Sequence, residues 1–360
     1  MLKIGLVGCG RISKKHIEAI AANDDICELV AVADLVPAKM DTAAAMYYEK
    51  TGKQPKKYRD YQDILRIADI DIIAIATESG YHAEHALAGL RAGKHVLVEK
   101  PMALSTSDCD KMIACAEEKG LTLGLCHQNR FNPPVQKLRQ ALEDGKLGRI
   151  LNGTACIRWN RNQDYYNQAP WRGTWAMDGG TLMNQCLHNI DMLQWMLGEE
   201  AVSVFAQTGN YLRDIEAEDF GAIVIRFANG AIGIVEGSAC VYPANLEETL
   251  NIFGETGTVC IGGLAVNKIE VWNVIGENSV DNSSQPDPDT VYGAGHIPLY
   301  RDFVTAVQAG RKPYIDGKSG KKAVEIILAA YKSQLTGLSV AMPLQNFSTL
   351  DMREVNLKQR

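Results

Sequence analysis

Lys100 stands in Glu99-Lys100-Pro101, directly after the apolar run Val96 to Val98. The carboxyl end of a buried parallel strand is where open α/β sheets bind their ligands. An ammonium there can hydrogen-bond an alcohol oxygen that is becoming a carbonyl, and stabilise the negative charge that develops on it. A second group able to do chemistry lies in Asp178-Gly-Gly-Thr-Leu-Met-Asn-Gln-Cys-Leu-His-Asn-Ile-Asp191. On a helix, Asn184 and His188 would share one face, with Asp191 a turn further on. Imidazole titrates close to neutral pH, so His188 beside a substrate hydroxyl can take its proton while a hydride leaves the same carbon. A surface lysine paired with Glu99, and a core histidine paired with Asp191, are the structural alternatives.

The first ten residues supply the means to accept a hydride. Lys3 to Val7 reads as a short buried strand, and Gly8, Gly10 and Ser13 follow at the spacing of a dinucleotide fingerprint. Ile12 to Ala22 then has helical periodicity. Glycine lets the backbone approach a pyrophosphate, and the N–H groups of the helix start point at the anion. Ser13 replaces the third glycine and weakens the match, but its place between strand and helix restores it. Asp34 ends a second apolar strand, Glu28 to Asp34, at the roughly 20-residue distance where a carboxylate bonds the adenosine ribose. That charge would repel the extra phosphate of NADP, so the expected cofactor is NAD. The alternative is that Asp34 caps a helix starting at Pro37.

The elements that must hold these residues fall into two patterns. Up to Cys126, apolar strands (Asp71 to Ala76, Lys94 to Val98, Leu121 to Cys126) alternate with helices near 38–51, 61–66, 81–92 and 107–119. Such alternation predicts a parallel sheet covered on both faces. After Gln128 come a helix over about 134–143 and longer alternating strands at 154–159, 202–208, 220–227, 231–238, 249–253 and 269–272. Asn229-Gly230 is a hairpin signal between two of them. Thr181 to Leu197 and Gly320 to Gln334 read as helices, and Asn278 to Asp289 as an exposed loop. The expected organisation is an α/β cofactor domain over 1–127 and an α+β substrate domain over 128–360, built on a large open, mainly antiparallel sheet. An apolar face not covered by the chain's own helices would be buried by pairing sheets face to face in a homodimer or homotetramer.

Composition narrows the classes. The 360 residues are 46% hydrophobic and 22% charged, with net charge −6, which lacks the basic footprint of a nucleic-acid binder. No apolar run reaches the ~18 residues of a membrane span, and the start reads as a strand rather than a signal peptide. Nine cysteines are dispersed without a CxxC or a metal-ligand rhythm. They are expected to be reduced thiols of a cytoplasmic protein that holds no metal.

Gly8-Cys-Gly-Arg-Ile12, Glu99-Lys-Pro101, Gly179-Gly180 through His188 to Asp191, and Gly320 to Tyr331 together resemble the family of glucose–fructose oxidoreductase, inositol dehydrogenase and MocA. The resemblance spans nearly the whole chain. It implies a Rossmann domain followed by an open-sheet domain, and NAD(P)-dependent oxidation of a sugar or polyol hydroxyl. Lys100 and His188 would be the catalytic pair. Gly8, Gly10, Arg11, Ile12, Asp34, Thr77, His82, Glu99, Lys100 and Gln128 would line the cofactor. Many members carry Asp where this chain has Asn184, and an amide cannot relay a proton as a carboxylate can. Asn184 would then only orient substrate.

A narrower resemblance rests on Gln128-Asn-Arg-Phe-Asn-Pro-Pro134, Tyr165-Tyr166, Trp171-Arg-Gly-Thr-Trp175, Asn184-Gln185 and Gly295-His296. These are similar to bacterial dehydrogenases of UDP-N-acetyl-2-amino-2-deoxyglucuronate, which oxidise the sugar 3-hydroxyl during surface-polysaccharide synthesis. Arg158, Arg161, Tyr165, Tyr166, Trp171 and Arg172 suit such a ligand. Guanidinium groups bind carboxylate or diphosphate bidentately, and aromatic faces pack on sugar or base. Asn184, His188 and His296, the last on a second loop, would complete the substrate set. A free-sugar or inositol dehydrogenase, and a non-catalytic NAD-binding sensor of the same fold, are the competing classes.

Overall fold

The computed structural model describes residues 1–198, 200–277 and 293–358. The chain divides into two compact units: 1–103, 108–128 and 295–321 form the first, and 104–107, 129–294 and 322–360 the second. The expected single cut before Gln128 is therefore incomplete, because residues 295–321 return to the first unit. The expected loop at 278–289 lies outside the described residues.

In the first unit, β1 (Leu2–Val7), α1 (Ser13–Ala21), β2 (Cys27–Ala33), α2 (Pro37–Thr51), β3 (Lys56–Tyr58), α3 (Tyr61–Leu65), β4 (Ile72–Ile75), α4 (His82–Arg91), β5 (His95–Val98), α5 (Thr106–Lys119) and β6 (Leu123–Leu125) alternate. The six strands are parallel and ordered β3-β2-β1-β4-β5-β6, the order of a doubly wound nucleotide-binding sheet. Ile72 to Ile75 and Val96 to Val98 are wholly buried, as continuous apolar strands covered on both faces should be. Pro37 opens α2 with its φ already helical, and Gly52 at φ +71 ends it.

The second unit continues with α6 (Pro133–Glu143), β7 (Ile150–Arg158), α7 (Gln163–Asn167), α8 (Thr181–Asn184), α9 (Leu187–Leu197), β8 (Ala201–Gly209), β9 (Phe220–Phe227), β10 (Ile232–Ser238), β11 (Glu247–Gly254), β12 (Gly257–Gly262) and β13 (Lys268–Val274). α10 (His296–Ala309) belongs to the first unit, α11 (Gly317–Thr336) begins there and continues into the second, and β14 (Val340–Ala341) closes the sheet. The eight strands run β13-β12-β11-β7-β10-β9-β8-β14, antiparallel except for β7 beside β10. Asn229-Gly230 does turn β9 into β10, with Gly230 at φ +86.

Strand alternation divides the sheet's residues between two faces. Ala155, Ile157, Ile223, Ile225, Val235, Leu250 and Ile252 are buried on one. Gly153 and Gly221 let α8 and α9 lie directly on it, since a Cβ there would come within 2.9 Å of Leu193 and 2.8 Å of Leu182. On the other face Phe205, Val224 and Ile234 are paired in register across three strands, and each is exposed.

Candidate active site

The glycine turn is built as the fingerprint requires. Gly8 has φ +94, and a Cβ there would lie 2.5 Å from the Ala76 carbonyl oxygen at the end of β4. A Cβ on Gly10 would meet no atom within 4 Å, so the backbone is bare where a diphosphate would approach. The N-cap of α1, Ile12, has no side-chain acceptor; within its first turn the Ser13 and Lys15 N–H groups donate to the Gly10 and Ile12 carbonyls at 3.2 and 2.9 Å. Ser13 fits in place of the third glycine because its hydroxyl donates to the Gly10 carbonyl at 2.6 Å. Asp34 is tied to this turn: Oδ2 accepts the Cys9 N–H at 2.8 Å and Oδ1 the Val36 N–H at 2.8 Å. It is not the N-cap of α2, which is Val36. These features fit a dinucleotide bound along the carboxyl edge of the sheet.

The Lys100 loop is held from both sides. His82 is buried, with Nδ1 2.7 Å from the Pro101 carbonyl and Nε2 3.1 Å from that of Thr77. Burial holds the His82 pKa below the ordinary histidine value, so its single N–H serves one of these carbonyls at a time. Glu99 faces inward, where the sequence reading has it on the cofactor. Its Oε1 lies 3.1 Å from His16 Nε2 and 3.2 Å from His296 Nε2, and its Oε2 accepts the Lys100 N–H at 3.1 Å. Burial would push this carboxyl up, but hydrogen bonds from His16 and His296 outweigh it and keep it well below the usual carboxylate range. His296 is therefore not on a loop. It begins α10, is 2% exposed, and belongs to the first unit. Gln128 is buried just beyond β6, its carbonyl packed against Gly295. Among the described residues, the donor atoms of His16, Glu99, Cys126 and His296 lie within 4.8 Å of one another. Hydrogen bonding to one carboxylate accounts for that grouping.

In the second unit the Asp178-Gly-Gly turn aims α8. Gly179 has φ +76, and a Cβ on Gly180 would overlap the Glu218 carboxylate. Burial raises the Glu218 pKa to about 8, while its Oε1 accepts the Leu182 N–H at 2.8 Å and the Tyr331 hydroxyl at 3.0 Å. The helix expected over 181–197 is broken after Asn184 and restarts at Leu187. Asn184 Nδ2 donates to Asp178, and its Oδ1 accepts from Gln185 Nε2 at 3.1 Å. His188 is half-buried in the first turn of α9. Asp191, expected as its partner, is engaged by an arginine. Asp191 takes a bidentate pair from Arg130 at 2.7 and 2.6 Å, both residues being buried, and Arg130 also stacks 4.7 Å from the Trp195 ring.

Beside Asn184 the Arg/Trp/Tyr segment forms a ladder of rings and guanidinium groups. Arg161 lies 4.5 Å over Trp159 and 5.4 Å over Tyr165, and Arg172 lies 4.4 Å over Tyr165 and 4.6 Å over Trp171. Arg172 donates to the Tyr165 hydroxyl at 2.6 Å, and Gln185 Nε2 reaches the same oxygen at 3.4 Å. Trp175 and Tyr166, by contrast, are buried, Trp175 packing edge-on to Tyr331. Arg158 stands apart from this ladder. It lies on the sheet face away from α9, where Glu236 at 2.5 Å and Glu247 take up its guanidinium. The sequence reading also missed His16, Arg130, Asp178, Glu218 and Tyr300 as supporting groups. Arg130 stood within the Gln128-to-Pro134 motif, but nothing in the sequence paired it with Asp191.

A family model described as oxidoreductase family, NAD-binding Rossmann fold matches residues 2–127, and one described as GFO/IDH/MocA C-terminal domain matches residues 135–260. The WlbA dehydrogenase of Bordetella pertussis, solved with NADH and UDP-GlcNAcA, is 38% identical, with TM-score 0.85 over 96% of this chain and 98% of that one. WlbA of Chromobacterium violaceum, solved with the same ligands, is 35% identical, with TM-score 0.85 over 96% of each chain. A myo-inositol 2-dehydrogenase of Thermotoga maritima is 29% identical over 92% of this chain and 96% of its own length.

Proposed function

The chain belongs to the GFO/IDH/MocA oxidoreductase family, and on that premise we propose that it oxidises the 3-hydroxyl of a UDP-linked N-acetylated uronic sugar. NAD-dependent action on a CH–OH group follows from the family. The substrate rests on one observation above all, the ladder of Trp159, Arg161, Tyr165, Arg172 and Trp171 beside Asn184. Stacked guanidinium groups are pre-oriented for bidentate binding of a carboxylate or diphosphate. An uncharged hexose or inositol offers them no anion and forgoes ~1.5–3 kcal/mol for each charge-assisted hydrogen bond. The likeness to two WlbA enzymes bound to UDP-GlcNAcA supports the same substrate.

Gly8, Gly10, Arg11, Ile12, Asp34, Thr77 and Gln128 would hold NAD, with His82 set between the Thr77 and Pro101 carbonyls. Bound NAD supplies the hydride acceptor. His188 takes the hydroxyl proton, Lys100 stabilises the oxygen as it gains negative charge, and Asn184 orients the sugar through its bond to Asp178. The test is preferential NADH formation from the sugar acid over uncharged sugars. The competing likeness to inositol dehydrogenases makes myo-inositol the control.

We also assign the exposed row Phe205, Val224 and Ile234 to a contact with a second copy of the chain. Light scattering should return at least twice 39.4 kDa, and a monomer at micromolar concentration would refute the contact. Nine cysteines, none in a disulfide among the described residues, suit a cytoplasmic setting.

A further inference from the structure

We propose that Glu99, gripped by His16 and His296, is a positioning residue that fixes Lys100 in its working place; the inference rests on Lys100 acting at the substrate oxygen. An ionised carboxylate only accepts hydrogen bonds, and every group turned toward Glu99 is a donor. Oε1 receives His16 Nε2 at 3.1 Å and His296 Nε2 at 3.2 Å, and Oε2 receives the Lys100 N–H at 3.1 Å. The Cys126 sulfur, just past β6, lies within 4.8 Å of this carboxylate. Tyr300 in α10 sets the proton of His16. Its hydroxyl lies 2.6 Å from His16 Nδ1, and a phenol donating there leaves the imidazole proton on Nε2, aimed at Glu99. Glu99 is 5% exposed and His16, His296 and Tyr300 no more than 2%, so solvent does not compete for these bonds.

The relay joins the Lys100 peptide to α1, the helix that opens at the glycine turn, and to α10. On the far side of Lys100, His82 holds the Pro101 carbonyl at 2.7 Å. Buried imidazoles therefore grip the backbone on both sides of the lysine. Misplacing a catalytic group by ~1 Å can cost 10²-fold in rate, so rigidity here bears on kcat more than on binding. A Gln at 99 would present an amide N–H₂ to a shell of donors and loosen the grip.

The test compares Glu99→Gln, His296→Gln, which keeps an N–H donor, and His296→Leu, which removes it. We expect kcat to fall at least tenfold in Glu99→Gln and His296→Leu, with KM for the sugar acid and NAD affinity changed less than threefold. His296→Gln should stay within threefold of wild-type kcat, a rescue that a mere packing role would not give. Lys100 labelling by an amine reagent, read by mass spectrometry against the other lysines, needs no substrate and should change at least threefold in the two weakened variants. Altered labelling in a protein that turns over no sugar would sustain the relay and sink the substrate assignment. Unchanged kcat in active variants, or unchanged labelling in inactive ones, overturns the proposal. Should Glu99→Gln fail to fold, the His296 pair gives the same decision.

Discussion

His188→Asn and Lys100→Ala should each lower kcat by ~10²–10⁴, the range for loss of a general acid or base, with little change in NAD affinity. The expectation follows from where the two residues stand. His188 opens α9, a helix whose position is fixed on the sheet by Gly153 and by the buried Arg130–Asp191 pair. Lys100 follows β5 in a loop gripped through Glu99 and His82. Neither side chain belongs to the glycine turn, so NAD titration by fluorescence should be near wild type. If both act on one oxygen, the double variant should lose far less than the product of the single losses. Near-normal turnover in His188→Asn would remove the histidine from the proton transfer.

Asp191→Ala should destabilise the protein by ~3–5 kcal/mol, because it leaves the Arg130 guanidinium charged and unpaired in the interior. Both partners are nine-tenths buried or more, and the pair is bidentate at 2.7 and 2.6 Å. Adding Arg130→Met should recover most of the loss, since removing both charges avoids the uncompensated ion. Denaturant midpoints of the single and double variants read both effects. A loss under ~1 kcal/mol for Asp191→Ala would mean that water or another group serves Arg130, a smaller cost than a buried orphan charge carries.

Much of the frame was legible because its signals are local. The strand–glycine–helix start, the apolar strands through Cys126 and the Asn229-Gly230 hairpin each need only a few neighbouring residues to be recognised. Lys100 and His188 stood out by residue type and place. What the sequence hid was pairing over distance: His16 and His296 meet at Glu99 from segments 280 residues apart in the chain, and Arg130 meets Asp191 from 61 residues away. Helix α10 carried a readable pattern, with Leu299, Tyr300, Phe303 and Val304 on one buried face. That periodicity alone could have moved His296 from a loop to a helix. Arg158 shows the converse limit. An arginine among aromatics resembles a ligand contact until strand register reveals Glu236 and Glu247 on the same face.

The substrate assignment is met most directly by initial rates of NADH formation from a UDP-linked N-acetylated uronic sugar, the same UDP-sugar without its carboxylate, and myo-inositol. One charge-assisted hydrogen bond forgone at ~1.5–3 kcal/mol corresponds to roughly 10–160-fold in kcat/KM. The sugar acid should therefore exceed the UDP-sugar that lacks the carboxylate by about that factor, and myo-inositol by more. Equal or higher kcat/KM with myo-inositol would contradict the assignment, and would leave the chain an NAD-dependent polyol dehydrogenase.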